Sequence, residues 1–212
     1  MTNERFLEKI GCFAVRPSNE GAELLVIRHP TAGTQVPAGT VDPDELCRSA
    51  ALREFHEETG VEGSSAHLMA RIEKACAPNH GVLVATPVNP SDVVQTGLDK
   101  DLRLRRGLPV RILDERDGQI RVIYEERDYN LDPPAVINSV AGWIGATDVA
   151  RRIVRELYRV DVDDVTQPRW AFFADGQNWT LEWTPIDTVQ LFGEQQTWLD
   201  ALRTELTSPV AD

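Results

Sequence analysis

The chain has 212 residues, is 42% hydrophobic, and carries 22 basic against 34 acidic side chains for a formal charge of −12. That length suits one domain, alone or with a small module, and the apolar content supplies a sizeable core. The acidic balance argues against broad nucleic-acid binding and against an anionic membrane surface, while leaving room for a small phosphorylated substrate held through a metal. No apolar run approaches the length of a membrane span, and residues 1–10 lack a signal-peptide core, so a cytoplasmic protein is expected. Cys12, Cys47 and Cys76 form no CxxC pair, which indicates neither a disulfide framework nor a zinc site.

In chain order, residues 6–15 and 23–28 read as apolar strands joined by the turn Pro17-Ser18-Asn19-Glu20-Gly21. Residues 34–37 lead into 39–61, GTVDPDELCRSAALREFHEETGV, the most informative stretch of the chain. Its spacing predicts a helix. Asp42 is a suitable N-cap, Pro43 suits the first helical position, and Glu45 sits where a capping box places an acid. Leu46, Ala50, Ala51, Leu52, Arg53 and Glu54 are mostly strong helix formers, and Gly60 is a natural stop. At about 100° per residue, Glu54, Glu57 and Glu58 fall within roughly a quarter turn of one face. Cys47 and Ala50 continue that stripe with small side chains. Ala51, Leu52 and Phe55 form a separate stripe for the core. Clustered acids at helical spacing repel one another, and a cation resolves the repulsion. The competing account is a solvated acidic face.

Beyond the box, residues 66–76 and 82–88 read as strands separated by Pro78-Asn79-His80-Gly81. Residues 90–150 then hold a basic cluster, Lys100, Arg103, Arg105, Arg106 and Arg111. They continue with strand-like pieces at 108–113, 120–124 and 136–144, including a turn at Asp117-Gly118 and a break at Pro133-Pro134. Residues 152–162 read as another strand, and 170–174 and 179–186 as a pair flanking Asp175-Gly176. A closing helix over 195–206 presents Trp198, Leu199, Leu202 and Leu206 at helical spacing.

The 39–61 box resembles the signature of the Nudix hydrolases, with Gly39, Glu45, Arg53, Glu54, Phe55, Glu57, Glu58 and Gly60-Val61 all at the family's offsets. The lead-in Gln35-Val36-Pro37-Ala38, the segment 180–185 and the last helix are similar to the family as well. The resemblance implies an α/β (α+β) fold, an α/β/α sandwich around a mixed sheet. It implies a hydrolase of nucleoside diphosphates linked to another group, dependent on Mg²⁺ or Mn²⁺. In that family the acids matching Glu57 and Glu58 bind metal, and the one matching Glu54 is a ligand or a general base. The carbonyl matching Gly39 often completes the metal's inner shell. The arginine matching Arg53 orients the neighbouring glutamate, and Glu45 is a supporting position. The order Gly107–Leu113, turn, strand and then Gly142-Trp143-Ile144 resembles a bacterial SH3-like barrel. The expected organisation is therefore a Nudix domain over 1–89 and 151–212 with a small inserted β module over 90–150.

The chemistry explains the residue types. A pyrophosphate is a poor electrophile towards water. Hard oxygen ligands hold Mg²⁺ while leaving coordination sites open, and a carboxylate beside them can take the proton of the attacking water.

Other candidates carry two readings each. Asp175 is a further acid or a turn residue, and Glu182 a further acid or a strand surface residue. Arg28 meets a phosphate or ends a strand, and His80 touches substrate or makes a turn. Arg105 and Arg106 contact substrate phosphates or lie on a solvated loop. Trp143 and Tyr124 suit a homodimer interface as well as a core. A nucleotide sugar or an ADP-ribose type compound is the first expected substrate, and a nucleoside triphosphate cleaved to release pyrophosphate the second. A non-catalytic ligand-sensing or partner-binding module is the reading from another class, disfavoured because every box acid is present.

Overall fold

The computed structural model describes residues 5–19, 21–85, 90–97, 99, 102–163, 167–174 and 177–208. It is mixed α+β, mostly strand, and divides into two compact units. The first comprises Ile10–Arg71 and Glu156–Asp212, the second Met1–Lys9 and Ile72–Arg155.

The strands in chain order begin with β1 (Phe6–Phe13), β2 (Val15–Ser18), β3 (Gly21–His29), β4 (Gly33–Gln35) and β5 (Ala38–Thr40), followed by helix α1 (Cys47–Thr59). Next come β6 (Gly63–Ala75), β7 (His80–Leu83), β8 (Ser91–Gly97), β9 (Pro109–Arg116), β10 (Gln119–Asp128) and β11 (Ala135–Gly145). The chain closes with β12 (Val149–Ala150), β13 (Arg152–Val162), β14 (Arg169–Ala174), β15 (Gln177–Pro185) and helix α2 (Glu194–Thr207).

In the first unit, one sheet has the order β14-β15-β3-β2, with β4 paired to β3; a second sheet runs β5-β1-β13-β6, and parts of β1, β13 and β6 belong to the second unit. Leu24, Leu25, Val26 and Ile27 are all buried, so β3 is covered on both faces; a continuous apolar run rather than alternation is the sign of that position. The core joins Ile10, Cys12 and Ala14 to Leu25, Ile27, Leu181 and Trp183 across Ala50, Ala51 and Phe55 of α1. On α2, Trp198, Leu199, Leu202 and Leu206 are buried, as their spacing predicts.

The apolar stretch at 6–15 is not one strand. It breaks at Ala14, whose carbonyl accepts from Leu25 N–H, and the chain passes from the sheet of β1 to that of β2 and β3. The lead-in also divides, because Pro37 has no N–H to continue a ladder. Its carbonyl instead accepts from Cys12 N–H at 2.8 Å. Gln195 of α2 brackets the residue before it: Val36 N–H donates to the side-chain oxygen and Val36 O accepts from the side-chain amide.

In the second unit the sheet order is β12-β7-β9-β10-β11-β8. Alternate residues Ile120 and Val122 on β10 meet Ile112, Val140 and Ile144 in a separate core. The turn between β9 and β10 is Asp117-Gly118, both at positive φ (50° and 75°), a two-residue hairpin geometry of the kind Asp-Gly favours. β8 was not expected from sequence: all seven of its residues are exposed, so burial imposed no alternation on them. The far end of the expected 82–88 strand, Lys100 and the Asp175-Gly176 turn lie outside the described residues.

Candidate active site

The box helix starts later than its capping pattern predicts. Asp44 takes φ +65°, which ends any helical run through Pro43, and α1 begins at Cys47 after Leu46. Asp42 and Glu45 instead close a turn. Glu45 N–H donates to Asp42 O, and Asp42 N–H donates back to the Glu45 carboxylate at 3.0 Å. The C-terminal stop is where the sequence puts it: Gly60 sits at φ +71° and its N–H donates to His56 O. Ala50 is a second correction. It lies in the core beside Ala51 and Phe55 rather than on the stripe of the acids, and Cys47 and Leu52 pack against the same cluster.

The acids converge on β5 because two spacings match. Residues four apart on a helix stand about 6 Å apart along its axis, and alternate residues of a strand about 6.7 Å. Glu58 accordingly accepts the N–H of Ala38 at 3.0 Å, and Glu54 accepts the N–H of Thr40 at 3.1 Å. Between them lies Gly39. A Cβ at that position would stand 1.9 Å from Cδ of Glu54, so only glycine admits the carboxylate there. The N–H groups of Ala38 and Thr40 are site components that residue types could not reveal. Their signal was positional: they flank Gly39 at strand spacing.

Arg53 ties the arrangement together. Its Nε and Nη2 bind the two oxygens of Glu45 at 3.0 and 2.8 Å, and Nη2 also donates to Thr40 O at 3.2 Å. Nη1 lies 3.0 Å from Glu54 and 3.1 Å from Glu57. All five N–H groups of the guanidinium are thereby used. Hydrogen bonding from Arg53 holds the Glu45 carboxyl below its ordinary range, and the same contacts raise the Arg53 pKa. Burial pushes the Glu54 carboxyl up, against the opposing pull of Arg53 and Thr40 N–H. Beneath the acids, Cys12 donates to Ala51 O, and burial together with Glu58 and Glu54 drives its thiol well up.

The donor set suits a hard divalent ion: three carboxylates and the Gly39 carbonyl are all oxygen. Among the described residues, however, no three acids, histidines or cysteines are grouped closely enough to hold an ion as they stand. Glu54 and Glu58 face backbone amides and Glu57 faces Arg53.

The remaining candidates divide. Arg28 and Glu182 meet across β3 and β15, with Arg28 Nε donating to Glu182 at 2.7 Å and Nη1 donating to Thr34. Arg169 approaches the other Glu182 oxygen at 3.7 Å. That pairing joins residues 154 positions apart and was invisible in the chain. His56 is on the surface beside Glu62. Asp175 lies outside the described residues. In the second unit, His80 Nδ1 is 2.9 Å from Pro78 O, Arg106 donates to Val84 O, and burial raises the Tyr124 phenol pKa against the opposing charge of Arg105.

Comparison with known proteins gives four matches. The NUDIX domain family matches residues 7–99. Human diphosphoinositol polyphosphate phosphohydrolase 3-alpha is 35% identical over 83 residues, 38% of this chain and 50% of its own, so the chain spans about half the length of that relative. Among solved structures, the NUDIX domain of Shewanella oneidensis NrtR complexed with ADP ribose aligns over 96% of this chain and 90% of its own, at 13% identity and a TM-score of 0.46. A C. elegans Ap4A hydrolase aligns over 95% and 99%, at 14% identity and a TM-score of 0.41.

Proposed function

We propose, from the match of residues 7–99 to the NUDIX domain family, that the chain is a metal-dependent hydrolase of pyrophosphate bonds. The observation that carries this reading is that Glu58 and Glu54 bind the amides on either side of Gly39 while Arg53, oriented by Glu45, links Glu54 to Glu57. The residues that would hold Mg²⁺ or Mn²⁺ are Glu57 and Glu58, with Glu54 and the Gly39 carbonyl beside them. Such an ion neutralises charge on the phosphate oxygens and lowers the pKa of bound water.

The chain's own residues account for the rest. Glu54 is shielded from solvent and its carboxyl is shifted upward, which makes it a better proton acceptor than an ordinary carboxylate. We assign it the proton of the attacking water. Arg53 fixes the orientation of Glu54 while Glu45 fixes Arg53 from its far side. Water attacks phosphorus and the bridging oxygen leaves with the other phosphate.

The substrate we favour is a nucleoside diphosphate linked to a sugar or similar group, of the nucleotide-sugar or ADP-ribose type. A second reading rests on the human relative, which its name describes as acting on a diphosphoinositol polyphosphate; a diphosphate on a cyclitol belongs beside the nucleotides in any screen. Residues 90–150 we read as an added β module; the pairing β9-β10-β11-β8 supports that reading, and the same sheet continues through β7, which lies before residue 90.

Product analysis across nucleotide sugars, ADP-ribose, dinucleoside polyphosphates, nucleoside triphosphates and a diphosphoinositol, with Mg²⁺ and with Mn²⁺, tests the reading. Turnover of at least one is expected, falling about 10²–10³-fold in Glu57→Gln. No turnover in the whole panel, with Glu57→Gln indistinguishable from the parent, would favour a ligand-sensing module instead.

A further inference from the structure

Three acids within one and a half turns of α1 demand a counter-charge even when no ion is bound. Arg53 Nη1 supplies it, reaching Glu54 at 3.0 Å and Glu57 at 3.1 Å. One nitrogen with two N–H groups thus bridges two of the carboxylates expected to meet at an ion. We propose that Arg53 is a placeholder for the cation: it gathers Glu54 and Glu57 in the metal-free chain, and cation binding transfers Glu57 from Arg53 to the ion. This rests on the metal-dependent reading above and adds a statement of how the site is kept closed until loaded.

Which contact breaks follows from their unequal strength. The Arg53–Glu45 contact is bidentate and charge-assisted, with Glu45 only 17% exposed, and Thr40 O binds the same guanidinium edge. The Arg53–Glu57 contact is a single bond between residues four apart, and Glu57 is 56% exposed. Exposed pairs of that spacing are among the weakest ion pairs in proteins. Glu54, 15% exposed and hydrogen-bonded to Thr40 N–H, has little room to leave. Glu57 is therefore the mobile member, and Arg53 stays where Glu45 and Thr40 pin it. Transfer leaves an Nη1 N–H of Arg53 open at the edge of the loaded site, available to an anionic oxygen only after the ion has bound. Loading and substrate contact would then occur in a fixed order.

The test reads the guanidinium directly. In ¹⁵N-labelled whole chain at low temperature, the Nη1 protons of Arg53 should shift on addition of Mg²⁺ while the Nε proton, held by Glu45, stays. Glu57→Gln without metal should reproduce the Nη1 shift. Thermal unfolding provides a second measure: Arg53→Gln should melt several degrees below the parent in chelator and gain more from saturating Mg²⁺ than the parent does. An Nη1 signal that stays unchanged while calorimetry shows Mg²⁺ bound, or an equal thermal gain in both chains, overturns the placeholder proposal alone. No binding of Mg²⁺ or Mn²⁺ by calorimetry overturns the metal-dependent reading and this proposal with it.

Discussion

Single residues in this chain are constrained for reasons of close contact, and Gly39 is the sharpest case. Its φ is ordinary; the constraint is the carboxylate above it. Gly39→Ala should therefore displace the carboxylate at the flexible end of Glu54 at little cost in stability, and reduce activity far more than stability. Paired urea titration and kinetics separate the two. Asp161 shows a different constraint. Burial alone would raise its carboxyl, but hydrogen bonds from Ser65 and His67 hold it below the ordinary Asp range. A carboxyl lowered in the fold adds stability above its unfolded value of about 4 that is lost as pH falls through the lower folded value. Asp161→Asn should flatten that part of the melting-temperature profile, measured from pH 6 to 2. Of the proposed site's residues, the sequence singled out Arg53, Glu54, Glu57 and Glu58 because their spacing is helical. The amides of Ala38 and Thr40 were not legible, since a backbone donor leaves no mark in residue type.

At the level of elements, α1 carries both the core and the acids, and its two ends were read with unequal success. Its C-terminus was predictable because Gly60 in the left-handed region is a local preference. Its start was not: Pro43 and Glu45 satisfy a capping box on paper, yet Asp44 turns left-handed and the two acids close a turn instead. Gly60→Ala would combine an unfavourable φ with a Cβ 2.5 Å from Cε2 of Phe172, so a loss of about 2 kcal/mol or more is expected by chemical denaturation. Phe55 is fully buried where α1 meets both sheets, and Phe55→Ala should cost about 3–5 kcal/mol in the same measurement. The strands were legible wherever burial imposed a pattern, as on β10. They failed to show where it did not, as on the fully exposed β8.

For the molecule as a whole, the proposed chemistry predicts that chelator abolishes turnover and that Mg²⁺ or Mn²⁺ restores it, followed as phosphate or nucleotide release. The acidic charge of −12 is compatible with this because the substrate's phosphates would meet the ion first. The described residues contain no helix long and apolar enough to cross a membrane. The division into units shows a limit of linear reading: strands β1, β6 and β13 each pass from one unit into the other, so no single break in composition marks the boundary. By itself the sequence determined the resemblance to the Nudix signature and the helix that carries its acids, because those depend on contacts within a few turns of one element. Only the tertiary structure decided that Glu54 and Glu58 face the amides of β5, that Arg53 spends all five donors, and that Arg28 and Glu182 pair. Each of those depends on strands and helices brought together by burial of a shared core, a global outcome that local spacing does not encode.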